Sequence, residues 1–231
     1  MQGLRLGIST LALALMTGIG AAGAAEGGKV LFQDNFDTLD PTWGQATNEI
    51  SVENHQIVLK PEANFSLWVP SNAGIYDDVD LSADFTAVAA VDADSSYAGL
   101  IFWYADDDNF YAFEYDANGK SSVWRRQRGR WLKQVSWQPA DGAKPNDGAV
   151  NTLRVVTIGN QATFYINGSK FSSLKGTPPE NGQQIGMIAS SPEKAVATYA
   201  IGNVKVLEPA KDQPPADQPA TNDSQSPTTK P

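Results

Sequence analysis

The acids most suitably spaced for chemistry are Glu114 and Asp116, in Glu114-Tyr115-Asp116. Side chains on a β-strand alternate between its two faces, so carboxylates two positions apart project from the same face. Two carboxyl groups facing one sugar ring can perform retaining glycoside hydrolysis. One attacks the anomeric carbon and the other protonates the leaving oxygen. The plainer reading is also open. Asp116 opens Asp116-Ala117-Asn118-Gly119, a turn in which Asp is ordinary. Glu114 would then be a solvent-facing acid near a strand end.

A second acidic group, Asp106-Asp107-Asp108-Asn109, offers hard oxygen donors of the kind that suit Ca²⁺, with Asp106 and Asp108 as candidate ligands. The EF-hand spacing is absent, and the same run reads equally as a hairpin loop of solvated acids. No other cofactor is indicated. The chain has no Cys and a single His, His55. That composition excludes disulfides, thiolate metal sites, a Cys nucleophile and a multi-His cluster, and it argues against a His-dependent triad or zinc hydrolase. His55 follows Asn54 in a turn, with no partner evident.

All six Trp fall between residues 43 and 137, and Trp124, Trp131 and Trp137 lie in or beside one hairpin. Along 97–104, alternation puts Ala98, Leu100, Phe102 and Tyr104 on a core face. Trp103 falls on the opposite face with Gly99, which has no side chain to obstruct an approaching ligand. Ser122, Trp124 and Arg126 share a face, as do Trp131, Lys133, Val135 and Trp137. Indole rings stack on the C–H faces of sugars, and Arg and Glu bond to hydroxyls. The ligand candidates are therefore Trp103, Trp124, Arg126, Trp131 and Glu114, with Trp103 and Trp124 foremost. Aromatics also favour strands for packing alone, so half of these rings should be core. Five basic residues lie between 125 and 133 (Arg125, Arg126, Arg128, Arg130 and Lys133). They would suit uronate or sulfate sugars, but a solvated hairpin tip is the favoured reading.

The elements that must hold these residues are strands. Between 29 and 206 apolar residues alternate in about eleven short runs broken by Gly, Asn, Asp and Pro, without a repeat period. Val79, Leu81, Ala83 and Phe85 mark one buried face, and Asn167-Gly168 is the strongest hairpin signal. This is the pattern of an all-β, two-sheet antiparallel jelly-roll sandwich in a single domain.

The ends read differently. Residues 1–25 look like a secretory signal, with Arg5, an apolar stretch over 6–19 and a small-residue ending at Ala25. An uncleaved anchor is the alternative. Six of the 14 Pro lie in 208–231, which lacks aromatic, Val, Ile, Leu and Met residues after Leu207 and reads as a disordered tail. The central 26–207 holds 14 basic and 22 acidic residues, a net charge of −8. Such a surface repels polyphosphate, so no nucleic-acid partner is expected. An exported protein without Cys points to the bacterial periplasm or exterior, with no membrane insertion once the signal is removed.

Several segments together resemble the concanavalin A-like lectin/glucanase superfamily. They are Phe32-Gln33-Asp34-Asn35-Phe36-Asp37 with Trp43, the run 97–104 followed by 106–111, Asn151–Val156 leading to Phe164–Gly168, and the closing runs 185–189 and 201–206. The superfamily includes lectins, laminin-G-like modules, family-16 glycoside hydrolases and 3-keto-disaccharide hydrolase domains. The resemblance implies a jelly roll with one concave face across which sugars lie. It also suggests pairing of the first and last strands, making Asp34 and Asn203 a second candidate metal pair. Family-16 enzymes carry three alternating acids, E-x-D-x-x-E or E-x-D-x-E. Asn118 and Gly119 stand where the third would be. A fold does not by itself assign a function. The leading expectation is an exported, non-catalytic carbohydrate-binding module. A glycoside hydrolase using Glu114 is the first alternative, and a structural or protein-interaction module the second.

Overall fold

A computed structural model describes residues 27–90, 92 and 95–210. The signal assigned to 1–25, and the assigned tail beyond residue 210, lie outside the described residues. Val79, Leu81, Ala83 and Phe85 are all essentially inaccessible, as their alternation requires. They belong to β5 (Asp80–Ala89) or immediately precede it. This strand lies between β10 (Val150–Ile158) and β14 (Thr198–Leu207).

Beyond β10, the larger sheet continues through β11 (Gln161–Ile166) and β12 (Ser169–Lys175). Beyond β14 it continues through β3 (Gln56–Leu59) and β2 (Ile50–Glu53), while β1 (Val30–Asp34) also pairs with β14. The smaller sheet runs β4 (Ser66–Pro70), β13 (Gln184–Ser190), β6 (Tyr97–Asp106), β7 (Asn109–Asp116), β8 (Lys120–Gln127) and β9 (Arg130–Pro139). Every ladder in both sheets is antiparallel.

The two sheets face each other as a sandwich. Phe113 of the smaller sheet meets Phe164 of the larger at 5.1 Å between ring centroids, and Phe85 meets Tyr115 edge-on at 5.9 Å. Three strands beyond the eleven runs are present: β2, β4 and β12. The turns that create two of them are legible in the sequence. Asn54 and His55 at φ 51° and 59°, and Asn167 and Gly168 at φ 49° and 82°, take the left-handed backbone that a two-residue hairpin needs. The strands they join to β3 and β11 lack a long apolar run. His55 has a partner after all, Asp37, at 2.9 Å.

The alternation along β6 breaks after Phe102. Trp103 has φ 47°, and the β6–β7 register shifts between Phe102 and Asp106. The bulge turns consecutive rings, Phe102 and Trp103, to the same side, with centroids 5.3 Å apart. Trp103 is thus buried in the main core, and Tyr104 joins a small apolar cluster with Ile101, Phe110, Ala112 and Ile188. The expected faces of Trp103 and Tyr104 are therefore exchanged, and both side chains are buried.

Candidate functional site

The face of the smaller sheet turned away from the main core carries a pocket of about 230 Å³, lined by Tyr97, Glu114, Trp124, Trp131 and Trp137. Four strands build it. β6 supplies Tyr97, β7 supplies Glu114, β8 supplies Trp124, and β9 supplies the remaining two indoles. Two register shifts along the β8–β9 ladder bracket Val135, which pairs with Val123 and packs toward the core. Sharing a face with Trp131 and Trp137 was the expectation for Val135. The bulges reverse it while leaving both indoles on the pocket side.

Glu114 forms the buried base of this pocket, with 2% of its surface exposed. In register it lies between Gly99 of β6 and Ser122 of β8. The Ser122 hydroxyl donates to Glu114 Oε2 at 3.4 Å and accepts the Trp124 indole N–H at 3.1 Å. Burial pushes the Glu114 carboxyl up to about 8, which the Ser122 hydrogen bond only partly opposes. The solvent-facing role open to Glu114 in the sequence is therefore replaced by an enclosed one. Tyr97 is also shifted upward, by burial and then by the neighbouring Glu114. Its hydroxyl lies 3.2 Å from Ser66 Oγ, which donates to Ser190 Oγ at 3.1 Å.

Gly99 has a different role from the one read in the sequence. A Cβ there would strike the Phe113 carbonyl and come within 2.8 Å of Glu114 Cα. The missing side chain allows close approach of the β6 and β7 backbones behind Glu114, rather than opening a space beside Trp103.

Asp116 does not join Glu114 at the pocket. Its Oδ1 accepts the backbone N–H groups of Asn118 at 3.0 Å and Lys120 at 2.8 Å, fixing the β7–β8 turn. The paired-carboxylate arrangement is therefore absent from this pocket, whose lining holds one acid.

Arg126 is held beside the pocket. Its Nε donates to the Asp107 carbonyl at 2.8 Å, and its terminal nitrogen lies 3.4 Å from Asp108 Oδ1. The guanidinium sits 5.2 Å from the Trp68 ring centroid and 5.6 Å from that of Trp131. Asp107 fastens the same corner, accepting from Trp68 Nε1 and the Tyr104 hydroxyl, each at 2.9 Å. Sequence reasoning singled out the acids flanking Asp107 and passed over the one that ties three aromatic and basic side chains together. It also passed over Tyr97, although Tyr97 stands two residues from Gly99 on the same alternating face.

The metal candidates are dispersed. Asp106 Oδ1 accepts from the Asp108 backbone and the Asn109 amide, both at 2.8 Å. Asp34 accepts from the Phe36 N–H at 2.7 Å and Trp43 Nε1 at 2.8 Å, whereas Asn203 donates to Asp84 at 2.8 Å. The first and last strands do pair, but Asp34 faces Val204 in register and Asn203 is bonded elsewhere. Among the described residues no three His, Asp or Glu side chains converge as a metal site. No described helix is long and apolar enough to cross a membrane.

The family model for the 3-keto-alpha-glucoside-1,2-lyase-like domain matches residues 27–202. Among solved structures, the carbohydrate-binding module CBM66 from Bacillus subtilis is 14% identical, with a TM-score of 0.52 over 66% of this chain and 86% of that one. A Bacillus subtilis protein described as having a galectin-like fold is 12% identical, with a TM-score of 0.59 over 80% and 98% of the two chains. The Bacillus licheniformis β-glucanase is 10% identical, with a TM-score of 0.55 over 78% and 99%. These likenesses establish a concanavalin A-like sandwich. No match was found among curated proteins.

Proposed function

The chain belongs to the 3-keto-alpha-glucoside-1,2-lyase-like domain family, and from that premise we propose that it is an exported glycan-binding domain. The convergence of Tyr97, Trp124, Trp131 and Trp137 around one buried carboxyl carries this reading. Indoles supply flat apolar surfaces for the C–H faces of a pyranose. The Glu114 carboxyl and the Tyr97 hydroxyl supply directional bonds to sugar hydroxyls. A small aromatic enclosure with a few polar groups orients a ligand without needing chemistry of its own.

One observation favours a second reading, single-base elimination. The family description names a lyase, and Glu114 is raised to about 8, close to the range in which a general base works best near neutral pH. In a 3-keto-glucoside, the carbonyl acidifies the C2–H. A carboxylate that takes this proton allows the C1–O bond to break, leaving a C1–C2 double bond, and the proton then passes from the carboxyl to the aglycone oxygen, which departs as an alcohol. That chemistry requires one carboxylate, whereas retaining hydrolysis requires two.

A glycan array, followed by calorimetry of each hit, tests the binding reading. Binding that weakens at least tenfold in Trp124→Ala supports it, and binding unchanged in that variant contradicts it. Incubation with a 3-keto-glucoside tests the second reading. Release of aglycone that disappears in Glu114→Gln would establish it.

A further inference from the structure

Aromatic side chains surround the Glu114 carboxyl, and among the described residues no ion pair with it is found. Tyr97, Trp124, Trp131 and Trp137 line the pocket around it. Its hydrogen-bond partner among the described residues is the Ser122 hydroxyl, at the long distance of 3.4 Å. Three basic side chains share this face of the sheet: Lys120, two residues from Ser122 on β8, is half-buried, and the other two are disposed as follows. Arg126 is committed to Asp107 and Asp108 between Trp68 and Trp131, and Lys133, opposite Trp124 in register, is exposed. Resting on the glycan-binding reading, we propose that the sugar in this pocket bears a protonated amine, as in a non-acetylated hexosamine residue. Its ammonium would face Glu114 within the indole walls.

Three physical features converge on that class of ligand. A buried carboxyl group is stabilised by a proton or by a cation, and the described residues lining this pocket include no cation. The faces of indole and phenol rings are the negative ends of their quadrupoles and attract ammonium groups, most strongly where water is excluded. The same rings still stack on the C–H faces of the sugar, so one residue can satisfy both walls and floor. The net charge of −8 over 26–207 further enriches cations near the surface. A neutral sugar would use the stacking surface and leave the carboxyl with a hydrogen bond alone. An anionic sugar would meet the carboxyl unfavourably.

With Glu114 raised to about 8, an ammonium arriving at neutral pH favours the carboxylate and releases its proton. The titratable or charged groups on this face of the sheet are Tyr97 from β6, Asp116 at the β7–β8 turn, Lys120 and Arg126 from β8 and Lys133 from β9. The other walls are indoles and the Ser122 hydroxyl, which do not titrate in this range.

The experiment uses three β-1,4-linked hexamers that differ only at C2: glucosamine, N-acetylglucosamine and glucose. Each is titrated calorimetrically into the full chain at neutral pH, and into Glu114→Gln after its melting temperature has been measured. The expected result is glucosamine-hexamer binding at least tenfold tighter than either neutral hexamer, with the preference lost in Glu114→Gln. A glucosamine hexamer that binds no better than the glucose hexamer overturns the inference, and so does a preference that survives in folded Glu114→Gln. If a neutral hexamer binds best and requires Trp124, the amine inference fails while the glycan reading stands. If none binds, the amine inference fails and the glycan reading is judged on the wider array. Should Glu114→Gln not fold, Trp124→Ala takes its place, and a glucosamine preference that survives undiminished in it overturns the inference.

Discussion

Ser122 lies directly across the β7–β8 ladder from Glu114 and places its hydroxyl 3.4 Å from Oε2. Ser122 Oγ also accepts the Trp124 indole N–H at 3.1 Å. One hydroxyl thus links the buried acid to a wall of the pocket and orients both. Replacing Ser122 with Ala should leave Glu114 with a less favourable environment and release the Trp124 ring. Glycan affinity should fall a few-fold, with folding stability reduced by about 1 kcal/mol, the typical worth of one such bond. Paired calorimetric and urea-unfolding measurements would check both effects.

Glu114 should make the protein less stable as the solution becomes more alkaline. Its folded carboxyl is raised from 4.5 to about 8, so between those values the folded state binds more protons than the unfolded one. The stability this gives is fully present below 4.5 and is lost as pH rises through about 8. The melting temperature should therefore fall between about pH 5 and about pH 8.5, by an amount equivalent to a few kcal/mol. Glu114→Gln should flatten that slope. An equal slope in the variant would assign it to other groups.

Trp103 and Trp124 should behave in opposite ways. Trp103 is buried at 2% exposure against Phe102 and Tyr111, so Trp103→Ala should cost about 3–5 kcal/mol of folding free energy. Trp124 is half-buried on the pocket side, and its truncation should cost about 1 kcal/mol or less. Chemical denaturation of the two variants measures this contrast directly. A similar loss for both would contradict their placement on opposite sides of the sheet.

Asp116→Ala should weaken the fold without weakening the site. The substitution removes the acceptor for the Asn118 and Lys120 N–H groups, at a cost of about 1–2 kcal/mol. Glycan affinity, measured where both proteins are fully folded, should remain within about twofold of wild type. A loss of tenfold or more would return Asp116 to the site.

The sandwich was legible because its core faces obey period two over long runs, as Val79 to Phe85 do. The turns were legible because Asn167-Gly168 supplies the positive φ values that a tight hairpin requires. The site was only partly legible, and the reason is the bulges. Alternation carries a facing assignment forward only while the ladder stays in register. The shift after Phe102 sends Trp103 inward, and the shifts around Val135 leave Trp131 and Trp137 on one side and Val135 on the other. Glu114 was visible as a carboxyl with a neighbour at the right spacing. Its enclosure by rings from β6, β8 and β9 depends on contacts between strands that no single run of residues encodes. The role of Asp107 is not legible in the sequence for a similar reason, since its partners Trp68 and Tyr104 come from different strands.

The most direct measurement is a calorimetric titration of the strongest array hit into wild type and into Trp124→Ala, at matched concentrations and with both melting temperatures known. If the aromatic pocket is the glycan site, Trp124→Ala should bind at least tenfold more weakly, equivalent to about 1.4 kcal/mol or more. Its melting temperature should stay close to that of wild type. Equal affinity in the two proteins would place the glycan elsewhere and contradict the account.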